Sequence, residues 1–279
     1  MDQSSRPEFV GPGWLLPSQG FAYQSRAPVD LVDRTSDADE WTRFLALVEQ
    51  LKRGAFDQDV SLLELLSTTG DADIRVLGLR VLGHAASSRC RERLAEFFVR
   101  EEVETRMAAY EAALLSCDLA MIDPLLDARE RSTGQEQLSV MSVISHLLET
   151  EPGTLYDDLD ELTADEYRRI ALGRRQALEA DYGRGVAIFE ARLLDLRYIL
   201  QRIESLCDEL DPVEFGGTIS RYVDFFEAMT GHSSRHVFEE GVTVNCYRAI
   251  EMIATFQQSG TADQYQPGQR YFFGHRVPS

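Results

Sequence analysis

A spacing of 31 residues runs through the chain between Leu63 and Arg168 and limits the folds open to it. Arg75 and Arg106 lie 31 apart, and Gln137 and Arg168 continue the same grid. Apolar positions keep register around them: Val76, Met107 and Leu138; Leu79, Tyr110 and Met141; Leu82, Ala113 and Ile144. Upstream, Leu63, Leu94, Leu125 and Tyr156 follow the same interval, as do Leu66, Phe97, Ala128 and Leu159. Each interval therefore reads as a pair of helices that cannot bury its apolar face alone and must stack on its neighbours. The spacing predicts helix pairs over 61–68 and 71–86, 88–100 and 102–117, 119–131 and 135–149, and 155–162 and 165–180.

The flanks read differently. Residues 1–36 carry Pro7, Pro12, Pro17 and Pro28, which disfavour regular structure, while Trp14, Leu15, Leu16, Phe21 and Tyr23 point to an arm packed on the body. Asp37, with Glu40 three residues on, marks a helix start; Trp41, Phe44, Leu45, Val48 and Leu51 form its apolar stripe, and Gly54 stops it. After Tyr182 the grid is lost. Ile188, Leu193, Leu196, Ile199, Leu200, Ile203 and Leu206 predict one long amphipathic helix ending near Leu210, ahead of Pro212. Further helices are expected over 218–229 and 242–258, and nothing in the pattern calls for a β-sheet of any size. The closing stretch is irregular and aromatic, and Tyr271, Phe272 and Phe273 read as a strap over the end of the repeats or as a contact for a partner. The chain thus divides into an arm (1–36), helical repeats (37–181), C-terminal helices (182–260) and a strap (261–279).

A formal charge of −19 excludes some partners. Nucleic-acid binding needs cations to neutralise phosphates, and a field of this sign opposes it. The same field accelerates encounter with a basic protein by on the order of 10 to 10³ at low salt. No apolar run approaches the ~18 residues of a membrane span. Cys90, Cys117, Cys207 and Cys246 lie far apart and no secretory h-region is evident, so free thiols and a cytoplasmic location are expected. Every basic residue except Lys52 is arginine.

Catalytic and metal chemistry find little footing. His232 and His236 are four apart with Glu239 and Glu240 nearby, but Gly231 and the Ser233–Ser234 pair mark an interhelical loop, and no HExxH or CxxC accompanies them. No GxSxG elbow presents a serine; Gly183-Arg184-Gly185 and Gly216-Gly217 precede helices without a preceding strand, unlike phosphate loops. His84 and His146 sit on second helices, where they face the groove or cap an end. Among 47 acidic residues no pair stands out for glycosidase chemistry. No enzyme activity, cofactor or metal is expected.

The strongest local signal is acidic. Between Glu149 and Glu166 lie Glu149, Glu151, Asp157, Asp158, Asp160, Glu161, Asp165 and Glu166, with no basic residue. The alternating oxygens of a calcium loop around its central glycine are not there. Thr163 and Glu166 form a capping box, and Asp165 can pair with Arg168 or Arg169 on the next turn. The remainder, Glu149 to Glu161, reads as a solvated face or as a docking patch for a basic protein. Glu104, Glu111 and Glu136, on the second helices, extend such a patch.

The segment DADIRVLGLRVLGHAA (71–86) resembles the second helix of a HEAT repeat, and EEVETRMAAYEAAL (101–114) repeats its pattern. The resemblance implies an all-α, HEAT-like solenoid whose second helices line the concave face. The ending, with Pro267, Gly268, residues 270–276 and Pro278 after a helix over 245–258, resembles the all-α immunity proteins of bacterial polymorphic toxin and contact-dependent inhibition systems. That resemblance implies a non-enzymatic protein that binds a cognate toxin and blocks its active site or substrate access. Acidity suits a toxin that attacks nucleic acid, because carboxylates can occupy its phosphate-binding surface. The rival reading is a HEAT-like scaffold for host proteins, with acidity serving solubility. A HEAT-like DNA glycosylase would need a basic groove that these repeats do not supply.

Overall fold

A computed structural model describes residues 32–151, 162–209, 216–239 and 243–278, and among these the chain is all-α apart from short β-hairpins. It divides into two compact units. One gathers residues 32–65 with Asp195–Val277, and the other comprises Leu66–Leu194 with Pro278. The four aspartates and glutamates at 157, 158, 160 and 161, the first helix expected over 155–162, and the arm up to residue 31 lie outside the described residues.

In the first unit, helix α1 (Glu40–Lys52) begins two residues later than the sequence reading implies. Asp39, not Asp37, is its cap: the Asp39 carboxylate accepts from the Thr42 N–H at 2.8 Å. Asp37 is engaged by the Asp39 N–H at 2.9 Å and by Arg34 at 2.6 Å. The stripe from Trp41 to Leu51 is buried as expected, and the chain leaves the helix through Gly54 at φ +83°. Helix α2 (Asp59–Thr68) leads into the second unit.

The second unit holds α3 (Ala72–Ala85), α4 (Ser88–Leu94), α5 (Val103–Ser116), α6 (Ile122–Arg131), α7 (Gly134–Leu148) and α8 (Ala164–Tyr182). The expected helix over 88–100 is α only to Leu94 and tightens to 3₁₀ over Ala95–Val99. Asp71 caps α3 by accepting from Asp73 and Ile74, and Thr163 and Glu166 cap α8 reciprocally, the second of these as the sequence reading has it. Helix α3 packs on α5, α5 on α7, and α7 on α8. Gly83 sets the closest approach: a Cβ there would meet the Ala112 backbone at 2.9 Å.

The 31-residue grid has a physical role in this packing. Arg75 donates back to the Thr69 carbonyl at 2.5 Å and forward to Thr105 Oγ1 at 3.3 Å, thirty residues on. Arg106 repeats both bonds one interval later, donating to the Arg100 carbonyl at 2.8 Å and to Glu136 at 2.6 and 2.8 Å. Each arginine thus ties its helix to the turn before it and to the first turn of the next second helix. Gln137 donates back to the Arg129 carbonyl at 3.2 Å. Arg168 reaches Glu130 and Asp127 on α6, both at 2.7 Å, instead of pairing with Asp165.

The expected long helix through Ile188 does not form. Its first part is an antiparallel hairpin of β1 (Ile188–Phe189) and β2 (Arg192–Leu193), and α9 (Leu196–Glu209) starts only afterwards. Gly183 and Gly185, at φ +88° and +78°, turn the chain away from α8. The hairpin tip then caps a helix. Glu190 and Ala191, both at positive φ, donate their N–H groups to the carbonyls of His146 and Leu147 at 2.7 and 3.2 Å, and Ile188 donates to Cys117 at 2.7 Å. Carbonyls left open at the ends of α7 and α5 are satisfied this way.

The first unit contains the same device. Helices α10 (Gly216–Thr230) and α11 (Cys246–Gln258) are separated by a short hairpin of β3 (Phe238–Glu239) and β4 (Thr243–Val244). The helix expected from 242 therefore starts at Cys246, capped by Asn245. The aromatic ending is not irregular: β5 (Tyr271–Phe272) and β6 (His275–Arg276) form a second capping hairpin. Phe273 and Gly274, at φ +51° and +79°, donate to Ala228 and Met229 at the end of α10 at 2.7 and 2.8 Å. Leu194 to Ala187 in one hairpin matches Val277 to Arg270 in the other, and Gly185 matches Gly268 at φ +75°.

Lys52 lies buried at the foot of α1, paired with Glu49 and set 5.1 Å from the Phe273 ring centroid. Burial pulls its amine down to about 8, against the opposing pull of Glu49 and Glu227. The unfolded chain holds that proton up to its ordinary value, so this group's contribution to stability should rise between about pH 8 and 10.4. Following the side-chain 13Cε shift of this single lysine against pH should give a midpoint near 8. A midpoint above 10 would mean that the amine is hydrated.

Candidate functional site

The second helices of the second unit present one continuous strip. Helical spacing places residues three and four apart on one face, so Glu104, Met107 and Glu111 line up along α5. Their grid equivalents extend the strip sideways with Asp73 and Val76 on α3 and Gln135, Leu138 and Ser142 on α7, while Arg80, in register with Glu111, is buried. Val76 and Met107 are half-buried, and Leu138 is 41 % exposed. Glu104 is exposed and Glu111 partly so, and among the described residues neither carboxylate pairs with a cation. Val103, 47 % exposed, continues the apolar row at the start of α5, and Val99 stands in the turn before it. An apolar row flanked by unpaired carboxylates suits a basic, partly apolar protein surface.

Other acidic candidates from the sequence are engaged inside the unit. Glu136 takes two hydrogen bonds from Arg106 and a third from the Tyr110 hydroxyl at 2.9 Å. The Arg106 guanidinium holds the Glu136 carboxyl below the usual range, while burial pushes the Tyr110 phenol up. This network borders a cleft of about 240 Å³ lined by Phe98, Val99, Arg131 and Ser132. Glu149 is buried and accepts from Ser145 Oγ and Arg174. Glu136 and Glu149 are thus each engaged by an arginine inside the unit. Glu151 is exposed at the mouth of a second cleft, of about 350 Å³, with Leu148, Arg174 and Leu178.

No known protein family, curated protein or solved structure matches this chain. What it can bind is written in its surface chemistry.

The histidines serve packing. His232 stands edge-on to Phe256 at 5.0 Å, and Glu239 accepts from Asn245 at 2.6 Å. His146 donates from Nδ1 to the Ser142 carbonyl at 2.7 Å, and His84 is buried on α3. Among the described residues no group of three His, Cys, Asp or Glu side chains could hold a metal ion. The exposed Val99 and Val103 went unread in the sequence: Val99 ends the 3₁₀ turn that replaces the expected α-helix, and Val103 opens the next helix. The Arg106–Glu136 pair was legible in principle, since the two residues stand thirty apart, one short of the grid.

Proposed function

We propose that this chain is a non-enzymatic, cytoplasmic binding protein of the immunity class, which neutralises a basic, nucleic-acid-targeting bacterial toxin. Its 66–182 region is a HEAT-like solenoid in this reading, supported by Arg75 and Arg106 making the same backward and forward bonds one interval apart. The observation that carries the functional reading is the Glu104–Met107–Glu111 strip, whose two carboxylates pair with no cation among the described residues. A net charge of −19 draws a basic partner in, and the strip offers it apolar contact on arrival. No helix among the described residues is long and apolar enough to cross a membrane.

Co-expression with the toxin domain encoded beside its gene should rescue growth and yield a complex that weakens with salt. In the Glu104→Lys/Glu111→Lys variant, association at low salt should slow by on the order of tenfold, with the fold intact by circular dichroism. An unchanged on-rate would remove the strip from the interface. A separate reversal of Asp157, Asp158, Asp160 and Glu161 asks whether that segment adds to the attraction. Neither rescue nor complex would favour the scaffold reading.

A further inference from the structure

Two of the four cysteines meet in the first unit. Cys207 lies in the last turn of α9 and Cys246 opens α11, and these two helices pack together. Burial, and then the Cys246 thiol beside it, push the Cys207 thiol up. Both side chains are partly exposed, within reach of a small oxidant, whereas Cys90 and Cys117 are fully buried in the other unit. Cys246 follows the cap residue Asn245, so it stands in the first turn of a 13-residue helix.

We infer that Cys207 and Cys246 are a redox modification site that closes to a disulfide under a hydroperoxide. One of the two sulfurs attacks the peroxide, the O–O bond breaks, and the alcohol or water leaves with the thiol proton, giving a sulfenic acid. The other thiol then attacks that sulfur, the S–S bond forms, and water leaves with the second proton. A dithiol reductant reverses the reaction and is itself oxidised. The closed bond links α9 to the first turn of α11 and restrains the helix that presents Tyr247, 78 % exposed, and Ile250, 40 % exposed.

The test uses the reduced full-length protein and hydrogen peroxide. The expected result is loss of two free thiols, a monomer throughout, and a non-reducing digest with one linked peptide pair, containing Cys207 and Cys246 and lighter by two hydrogens. Tm should rise by about 5–10 °C on oxidation and return with dithiothreitol, since the bond closes a loop that costs the unfolded chain entropy. Cys207→Ser and Cys246→Ser should each abolish the Tm shift and the linked peptide. Oxidation of the two thiols to separate sulfinic acids, with no linked peptide, would overturn the assignment; so would linkage through Cys90 or Cys117.

Discussion

Phe272→Ala should cost about 3–5 kcal/mol in urea unfolding, among the largest losses a single core truncation gives. Phe272 is fully buried on β5, its ring 5.0 Å from that of Phe273. Truncation does more than open a cavity. The hairpin it anchors supplies the Phe273 and Gly274 N–H groups that answer the last carbonyls of α10, and a loosened hairpin returns those carbonyls to water or leaves them buried. Phe189 holds the matching place on β1, also fully buried, and Phe189→Ala should cost the same within the error of the method. A loss under about 1 kcal/mol for either would mean that the hairpin rests on its backbone bonds alone.

Arg106→Ala should cost about 2–3 kcal/mol, between the values for exposed and fully buried ion pairs. The change removes two bonds to Glu136 and two to the carbonyls of Arg100 and Glu101, and leaves a carboxylate held by Tyr110 and Ser132. The loss should depend on pH in a defined direction. Arg106 lowers the Glu136 carboxyl in the folded state, so the stabilisation is whole above the ordinary glutamate value of about 4.3 and fades as pH falls through the lowered one. The gap between wild type and variant should therefore narrow in acid. A gap that holds constant down to pH 3 would place the effect in packing instead.

The helices of the second unit were legible because local chemistry and the long-range spacing agree there. Asp71 caps α3, Thr163 and Glu166 cap α8, and α3, α5, α7 and α8 start and stop within one or two residues of the sequence reading. The hairpins were not legible. Their turns use Glu190-Ala191 and Phe273-Gly274, three of which are poor residues for positive φ, so the usual Asn-Gly signal is missing. Ile188 and Leu193 meanwhile fit a helical stripe as well as a strand. What holds these turns is the helix end each one caps, a tertiary bond that no local pattern announces. The acidic strip was half legible for a similar reason. Glu104 and Glu111 stand where the helix period puts them, but Arg106 and Arg174, which engage Glu136 and Glu149, lie thirty and twenty-five residues away.

Lys52 carries the only side-chain amine in the chain, and it is buried against Glu49 and Phe273. Acylating reagents therefore find one internal target, and they find it only when α1 separates from the hairpin. The slow modification of this amine is a clock for opening of the first unit, running at the opening equilibrium when closing outpaces labelling and at the opening rate when it does not. One mass increment, read in intact protein over hours, would report how often that unit breathes.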